Sequence, residues 1–287
     1  MKIVADENIP LLNEFFSDIA QGDIKRLAGR DITQKHLINA DILLVRSITK
    51  VNEALLKGTS VKFVGTCTIG TDHLNIPYLQ KQGIQYANAP GCNAQGVVEY
   101  VLSILITLGE RKQCAWQTLS VGIVGAGNVG GRLYKTLKKL GVKVCAYDPS
   151  VGSFNSASHS KQVWLQDVVT LHTPINKEGE FKTHHLVDKE RLQTMSAQAC
   201  LINSCRGAVV DNAALLQHLK QHPQFLAALD VWEQEPTPAD ELIQACFLAT
   251  PHIAGYSLDG KYKGTGMIYD ALCEFLALPK SVHLAQL

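Results

Sequence analysis

The chain has 287 residues, 46% of them hydrophobic, with 27 lysines and arginines against 26 aspartates and glutamates and a formal net charge of +1. That length supports two domains and a large core, and the near-neutral balance removes the general electrostatic attraction that nucleic acid or an anionic membrane would need. No apolar run approaches the roughly 18 residues of a membrane span, and Asp6 and Glu7 interrupt any signal-like N-terminal core, so a soluble cytoplasmic protein without membrane or nucleic-acid partners is expected.

The first ninety residues alternate short apolar runs (2–5, 42–45, 61–64 and 84–87) with helical stretches, the pattern of a small parallel α/β unit. Two turns that follow these strands are rich in hydroxyls and charge: Arg46-Ser47-Ile48-Thr49-Lys50, and the stretch from Gly65 to His73. Open α/β sheets bind ligands outside the carboxyl ends of their strands, which makes both turns candidate substrate surfaces. Turn formation and helix capping account equally well for Ser47 and Thr68. Pro90-Gly91-Cys92-Asn93 reads as a break followed by a helix cap, and Val97, Val98, Val101, Leu102, Leu105 and Leu108 then recur at helical spacing over 94–111.

The stretch Val121-Gly122-Ile123-Val124-Gly125-Ala126-Gly127-Asn128-Val129-Gly130 is a buried strand running into G-x-G-x-x-G. The first glycine permits the tight turn, the second admits a pyrophosphate, and the third lets helix and strand pack closely. A helix over 129–140 follows, with Val129, Leu133, Leu137 and Leu140 on one face and its positive N-terminal end toward a phosphate. The next strand, 142–147, ends at Asp148, and 148 − 130 places that carboxylate 18 positions beyond the last glycine. That spacing suits an acid bonded to the adenine ribose hydroxyls. Such an acid repels a 2′-phosphate, and no arginine follows in Pro149-Ser150-Val151-Gly152, so NAD is expected rather than NADP.

Beyond Asp148, strands are expected over 168–171, 200–203, 225–229 and 246–249, with a helix at 212–221 and a last one at 264–278. The interval from Asp148 to His172 is short, with residues 161–166 leaving room for little helix. The 8 cysteines form no C-x-x-C pair and sit mostly beside apolar residues, so neither disulfides nor a metal site is expected.

Arg206, Glu235 and His252 each stand just past the end of a late strand, and parallel strands bring such positions to one edge, where the glycine turn also opens. Hydride removal from an alcohol needs a group to take the hydroxyl proton, and histidine titrates near neutrality. A carboxylate bonded to the imidazole favours its protonated form, and arginine clamps a substrate carboxylate through two parallel hydrogen bonds. His73 and His172 have no such partners and are read as structural.

Gly125 to Gly130, Cys205-Arg206-Gly207-Ala208-Val209-Val210-Asp211, Asp230-Val231-Trp232-Glu233-Gln234-Glu235-Pro236 and Pro251-His252-Ile253-Ala254-Gly255 resemble the signatures of NAD-dependent D-2-hydroxyacid dehydrogenases, over nearly the whole chain. The segments Lys2 to Asn8, Val45 to Asn52, Gly70 to His73, Pro90 to Ala94 and His252 to Leu258 narrow the resemblance to a branch acting on a small phosphorylated 2-hydroxy acid. The implied architecture is α/β: two Rossmann/flavodoxin-like domains with parallel sheets and an active-site cleft between them. Residues 95–258 would bind NAD, and 1–94 plus 259–287 would bind the substrate. The resemblance makes His252 the acid/base, Glu235 its partner and Arg206 the carboxylate binder. It sets Gly125, Gly127, Asn128, Val129, Gly130, Asp148, Thr173, Ser204, Cys205 and Gly255 along the cofactor, Asp230 against the nicotinamide amide, and Ser47, Thr68 and Tyr256 against the substrate. Family members continue past the position of Leu287 into a domain that makes much of a dimer interface, and a homodimer is the implied assembly. A dehydrogenase for another D-2-hydroxy acid, such as glycerate or 3-phosphoglycerate, and an NAD-sensing protein without turnover are the alternatives.

Overall fold

Runs of branched apolar residues between turn signals become the strands. In the computed structural model, which describes residues 1–287, they form two parallel sheets, one in each of two units: Met1–Asn93 with Ser257–Leu287, and Ala94–Tyr256. Ala94 already begins the long helix Ala94–Lys112, and Ser257 belongs with the helix it caps, accepting from the Gly260 N–H at 3.1 Å. Asn93, expected to cap the long helix, does not do so: its side-chain oxygen is buried without a hydrogen bond.

The first unit contains β1 (Ile3–Asp6), β2 (Ile24–Leu27), β3 (Ile42–Val45), β4 (Phe63–Thr66) and β5 (Gln85–Ala87) in the order β2-β1-β3-β4-β5. Every pairing is parallel. The strand period of two sends Ile3, Ala5, Ile42 and Leu44 to a core with Phe15, Phe16, Ile268 and Leu272, while Val4, Leu43, Val45 and Val64 meet Leu37, Leu55 and Leu79 on the other face. With both faces covered, the central strands read as unbroken apolar runs. β2 escaped the sequence reading because it is an edge strand whose Lys25 and Arg26 face solvent, so it carries no such run. The last helix, Leu258–Leu276, starts well before position 264. Gly260 and Gly264 weaken its helical signal, yet packing selects them. A Cβ at Gly260 would come within 2.9 Å of the Asn93 Cβ, and one at Gly264 within 2.8 Å of the Cys67 carbonyl oxygen.

The second unit contains β6 (Val121–Val124), β7 (Val144–Tyr147), β8 (Val168–Leu171), β9 (Cys200–Asn203), β10 (Leu226–Leu229) and β11 (Leu248–Ala249), all parallel, in the order β11-β10-β9-β8-β6-β7. β7, β10 and β11 are shorter than the apolar runs that signalled them. The chain order reverses between β6 and β8, so their carboxyl ends flank the switch point where open sheets bind ligands. Leu140, expected on the buried face of the helix after the glycine turn, lies past the end of Gly130–Lys139 and is 48% exposed. Between β7 and β8 lies a short helix, Ala157–Gln162, whose cap Ser156 accepts from the His159 N–H, and residues 163–165 add only a 3-10 turn. All eight cysteines are free, and no helix is long and apolar enough to cross a membrane.

Candidate active site

At the end of β6 the chain turns at Gly125, whose φ of 90° lies in the left-handed region. A Cβ there would collide with the His172 carbonyl oxygen just beyond β8, and one at Gly130 would run into the Gly125 carbonyl. Gly127 differs, because no atom beyond its chain neighbours lies within 4 Å of the site a Cβ would take. Two of the glycines are therefore demanded by the fold, while the third leaves open space against bare backbone, as a pyrophosphate requires. Asn128 is exposed and Val129 half-buried ahead of Gly130–Lys139, and no side chain caps this helix, whose N-terminus carries the positive end of the helix dipole.

Asp148 follows β7. Its Oδ2 accepts from the Ala126 N–H at 2.8 Å, and its Oδ1 accepts from the Ser150 hydroxyl at 2.6 Å and N–H at 2.9 Å. Burial opposes its charge, but these bonds, the Ser150 hydroxyl foremost, outweigh it and hold the carboxyl below its usual range. The acid is thus ionised and fastened to the glycine turn. At the end of β9 the Ser204 hydroxyl is buried without a hydrogen-bond partner, which leaves it a donor in want of an acceptor. The Cys205 thiol donates to Asn203 Oδ1 at 3.2 Å and lies 4.0 Å from the Thr173 hydroxyl. Burial pushes that thiol up, so it is a neutral packing group.

Arg206 is anchored at its backbone, where its carbonyl accepts from Asn203 Nδ2 at 2.9 Å, and its Nη1 donates to the Cys205 carbonyl at 2.7 Å. Gly207 follows because a Cβ would run into the Trp232 carbonyl group. Asp230, just past β10, is 1% exposed. Its Oδ1 accepts from the Thr250 hydroxyl at 2.6 Å and the Ile253 N–H at 2.7 Å, and its Oδ2 accepts from the Ala254 N–H at 2.8 Å. The Tyr100 hydroxyl completes this set by pairing with Thr250 at 2.6 Å. Both its oxygens bond to the segment 250–254, because a carboxylate withdrawn from water needs such donors.

His252 lies on that segment at φ 58°, a left-handed conformation that costs a non-glycine residue energy and needs surrounding bonds to hold it. Its Nδ1 pairs with Glu235 Oε2 at 2.8 Å, while Glu235 Oε1 accepts from the Trp232 N–H at 2.9 Å. The Glu235 bond raises His252 above its ordinary value against the opposing effect of burial. Burial likewise works against the Glu235 charge, but the His252 bond and the Trp232 N–H keep its pKa lowered. With Nδ1 engaged, Nε2 is the ring nitrogen left for a further partner. Gly255 and Tyr256 close the segment, and the Tyr256 ring is among the most exposed aromatic groups, at 65%.

In the first unit, Ser47 is exposed in the turn after β3, and Thr68 sits past β4 with its hydroxyl 2.8 Å from that of Thr66. Thr66 also meets His73 Nε2 at 2.9 Å. His172 bonds the Thr170 hydroxyl at 3.0 Å, and burial lowers it to about 3, which suits a neutral structural imidazole. One cluster was announced by no spacing in the sequence: ligand atoms of His184, His185 and Glu233 lie within 4.8 Å of one another. His185 Nε2 pairs with Glu233 Oε1 at 2.6 Å, and the two imidazoles stack at 4.1 Å and 25°. Lone pairs in nearly parallel ring planes do not converge on one ion. His185 and Glu233 instead form a hydrogen-bonded pair, and Glu233 Oε2 also accepts from the Asn212 N–H at 2.9 Å.

Residues 109–254 match the family pattern described as D-isomer specific 2-hydroxyacid dehydrogenase, NAD binding domain. The chain is 51% identical over 290 residues to the erythronate-4-phosphate dehydrogenase of Pseudomonas fluorescens (strain Pf0-1), in an alignment covering 100% of this chain and 76% of that protein. It is 52% identical, with the same coverage, to that of Ectopseudomonas mendocina (strain ymp). Among solved structures, an NAD+-bound 3-phosphoglycerate dehydrogenase of Entamoeba histolytica shares the fold at TM-score 0.81 and 21% identity, covering 96% of this chain and 95% of that one. A D-lactate dehydrogenase of Aquifex aeolicus, complexed with NAD and lactic acid, does so at TM-score 0.77 and 23% identity, covering 96% of each chain.

Proposed function

The chain belongs to the D-isomer-specific 2-hydroxyacid dehydrogenases, on the erythronate-4-phosphate dehydrogenase branch, and from that premise we propose that it oxidises 4-phospho-D-erythronate to the corresponding 2-oxo acid, 3-hydroxy-2-oxo-4-phosphooxybutanoate, a step in pyridoxal phosphate formation. The observation that carries the mechanism is the 2.8 Å bond from His252 Nδ1 to Glu235. It fixes the ring so that Nε2 takes the C2 hydroxyl proton, and it stabilises the imidazolium that results. Arg206 holds the substrate carboxylate and polarises the C2 oxygen.

NAD supplies the hydride acceptor. The residues present suit it: Gly125, Gly127, Asn128, Val129 and Gly130 form the phosphate turn, and Asp148 faces the adenosine ribose. Thr173, Ser204, Cys205 and Gly255 line the remainder, and the unpartnered Ser204 hydroxyl is supporting evidence for a polar ligand there. Asp230 positions the His252 segment. Ser47, Thr68 and Tyr256 contact the substrate, and the cation of Arg46 takes its phosphate.

The test is turnover with NAD over a panel of 4-phosphoerythronate, erythronate, glycerate, 3-phosphoglycerate and D-lactate, followed by reduced nicotinamide absorbance. The highest kcat/KM is expected for 4-phosphoerythronate. A higher value for any other acid would reassign the substrate, and NAD binding without turnover of any acid would remove the enzymatic reading.

A further inference from the structure

We propose that Asp6 is a positioning residue for substrate binding, holding the Arg46 guanidinium as the receptor for the substrate's phosphate; the inference rests on the substrate reading above. Asp6 closes β1 and Arg46 follows β3, its neighbour in the sheet, so both come to the carboxyl edge of the first unit. The Asp6 side chain is fully buried, and each of its oxygens has one partner. Oδ1 accepts from the Asn8 N–H at 2.9 Å, and Oδ2 accepts from Arg46 Nε at 3.0 Å.

The mode of that pairing points to a ligand. A purely structural arginine–carboxylate pair gains most from the two-pronged geometry that uses the Nη edge. Here a single Nε–H is spent on Asp6. The Nη edge, on a side chain 23% exposed, is left for another anion. The surroundings hold the carboxylate and the turn in place. A Cβ at Gly29 would collide with Asp6 Oδ2, so glycine makes room for the carboxylate. The buried Thr49 hydroxyl donates to the Gly29 carbonyl at 2.8 Å, tying down the far end of the turn that Arg46 begins. Ser47, between these two fixed points, is exposed beside the same edge. A receptor built in this way is charged and oriented before the substrate arrives, which lowers the ordering cost of binding.

The experiment is a KM and kcat comparison on 4-phosphoerythronate and unphosphorylated erythronate for the unmodified protein, Asp6→Asn, Arg46→Gln and the double variant. Asp6→Asn should raise KM for the phosphorylated acid by about tenfold, with kcat and NAD affinity nearly unchanged and KM for erythronate little altered. In the Arg46→Gln background, Asp6→Asn should add nothing, because its effect runs through Arg46. Additive effects, equal losses on both substrates, or a lowered melting temperature with KM intact would overturn the proposal. Should Asp6→Asn not fold, Arg46→Lys keeps a charge opposite Asp6 but lacks the fork, and it must show the same selective rise in KM. Failure of the substrate reading would appear earlier and separately, as no preference for the phosphorylated acid in the unmodified protein.

Discussion

Asp230 holds His252 from two sides: its backbone carbonyl accepts the His252 N–H at 2.7 Å, and its buried carboxylate takes the next two N–H groups, those of Ile253 and Ala254. A fully buried acid at the end of β10 thereby shapes the backbone on which the proposed proton acceptor rides. Asp230→Asn keeps the volume but turns an amide donor toward donors. It should cost about 1–3 kcal/mol of stability and lower kcat, with NAD affinity nearly intact. Thermal unfolding and steady-state kinetics check this together. Normal kcat at reduced stability would mean that the segment holds His252 without the acid.

Replacing His252 by alanine should lower kcat by about 10²- to 10⁴-fold, the usual contribution of a placed proton acceptor. NAD binding, followed by fluorescence titration, should not change. A variant that keeps its turnover would move the proton acceptor elsewhere.

The pH–rate profile should follow the Glu235 bond. Oxidation needs neutral His252, so kcat/KM rises with pH through a pKa raised chiefly by that bond. Glu235→Gln removes the charge that favours imidazolium, and the rising limb should move to lower pH. The stability effect has its own window. His252, raised in the folded state, contributes fully below its ordinary 6.5 and loses the contribution as pH rises through the folded value. Glu235, lowered in the folded state, contributes fully above its ordinary 4.5 and loses this as pH falls through its folded value. Glu235→Gln should therefore destabilise most between those two ordinary values, which melting temperatures across pH will show.

Gly125 and Gly127 should respond differently to alanine. At Gly125 the left-handed φ and the collision with the His172 carbonyl predict a loss of at least about 1–3 kcal/mol. At Gly127 the added methyl meets only open space. Its melting temperature should hold while NAD affinity drops, because the methyl stands where the pyrophosphate approaches. Undiminished NAD affinity in Gly127→Ala would place the cofactor elsewhere.

Asp148→Ala should narrow the preference for NAD over NADP, since it removes the charge that repels a 2′-phosphate. It also removes the acceptor of the Ala126 N–H, so affinity for NAD itself should fall. Titration with both cofactors decides this, and equal affinities in the unmodified protein would take Asp148 out of the cofactor site.

The sequence by itself determined what local spacing determines. The three glycines lie within one turn, β8 and β9 are four-residue buried strands at the bounds their sequence signals gave, and Asp211 caps Asn212–Gln221 from the adjacent position. Arg206, Glu235 and His252 were legible because parallel strands deliver residues past their ends to one edge. Only the tertiary structure decided which of these groups touch. Asp230 meets its partners 20 to 24 positions along the chain, and Asp6 meets Arg46 40 positions away. Such pairs depend on which strands become neighbours and in what register, and sequence spacing carries no record of that choice. The same holds for β2, which has no apolar run of its own and becomes a strand because the edge of β1 offers its backbone hydrogen-bond partners.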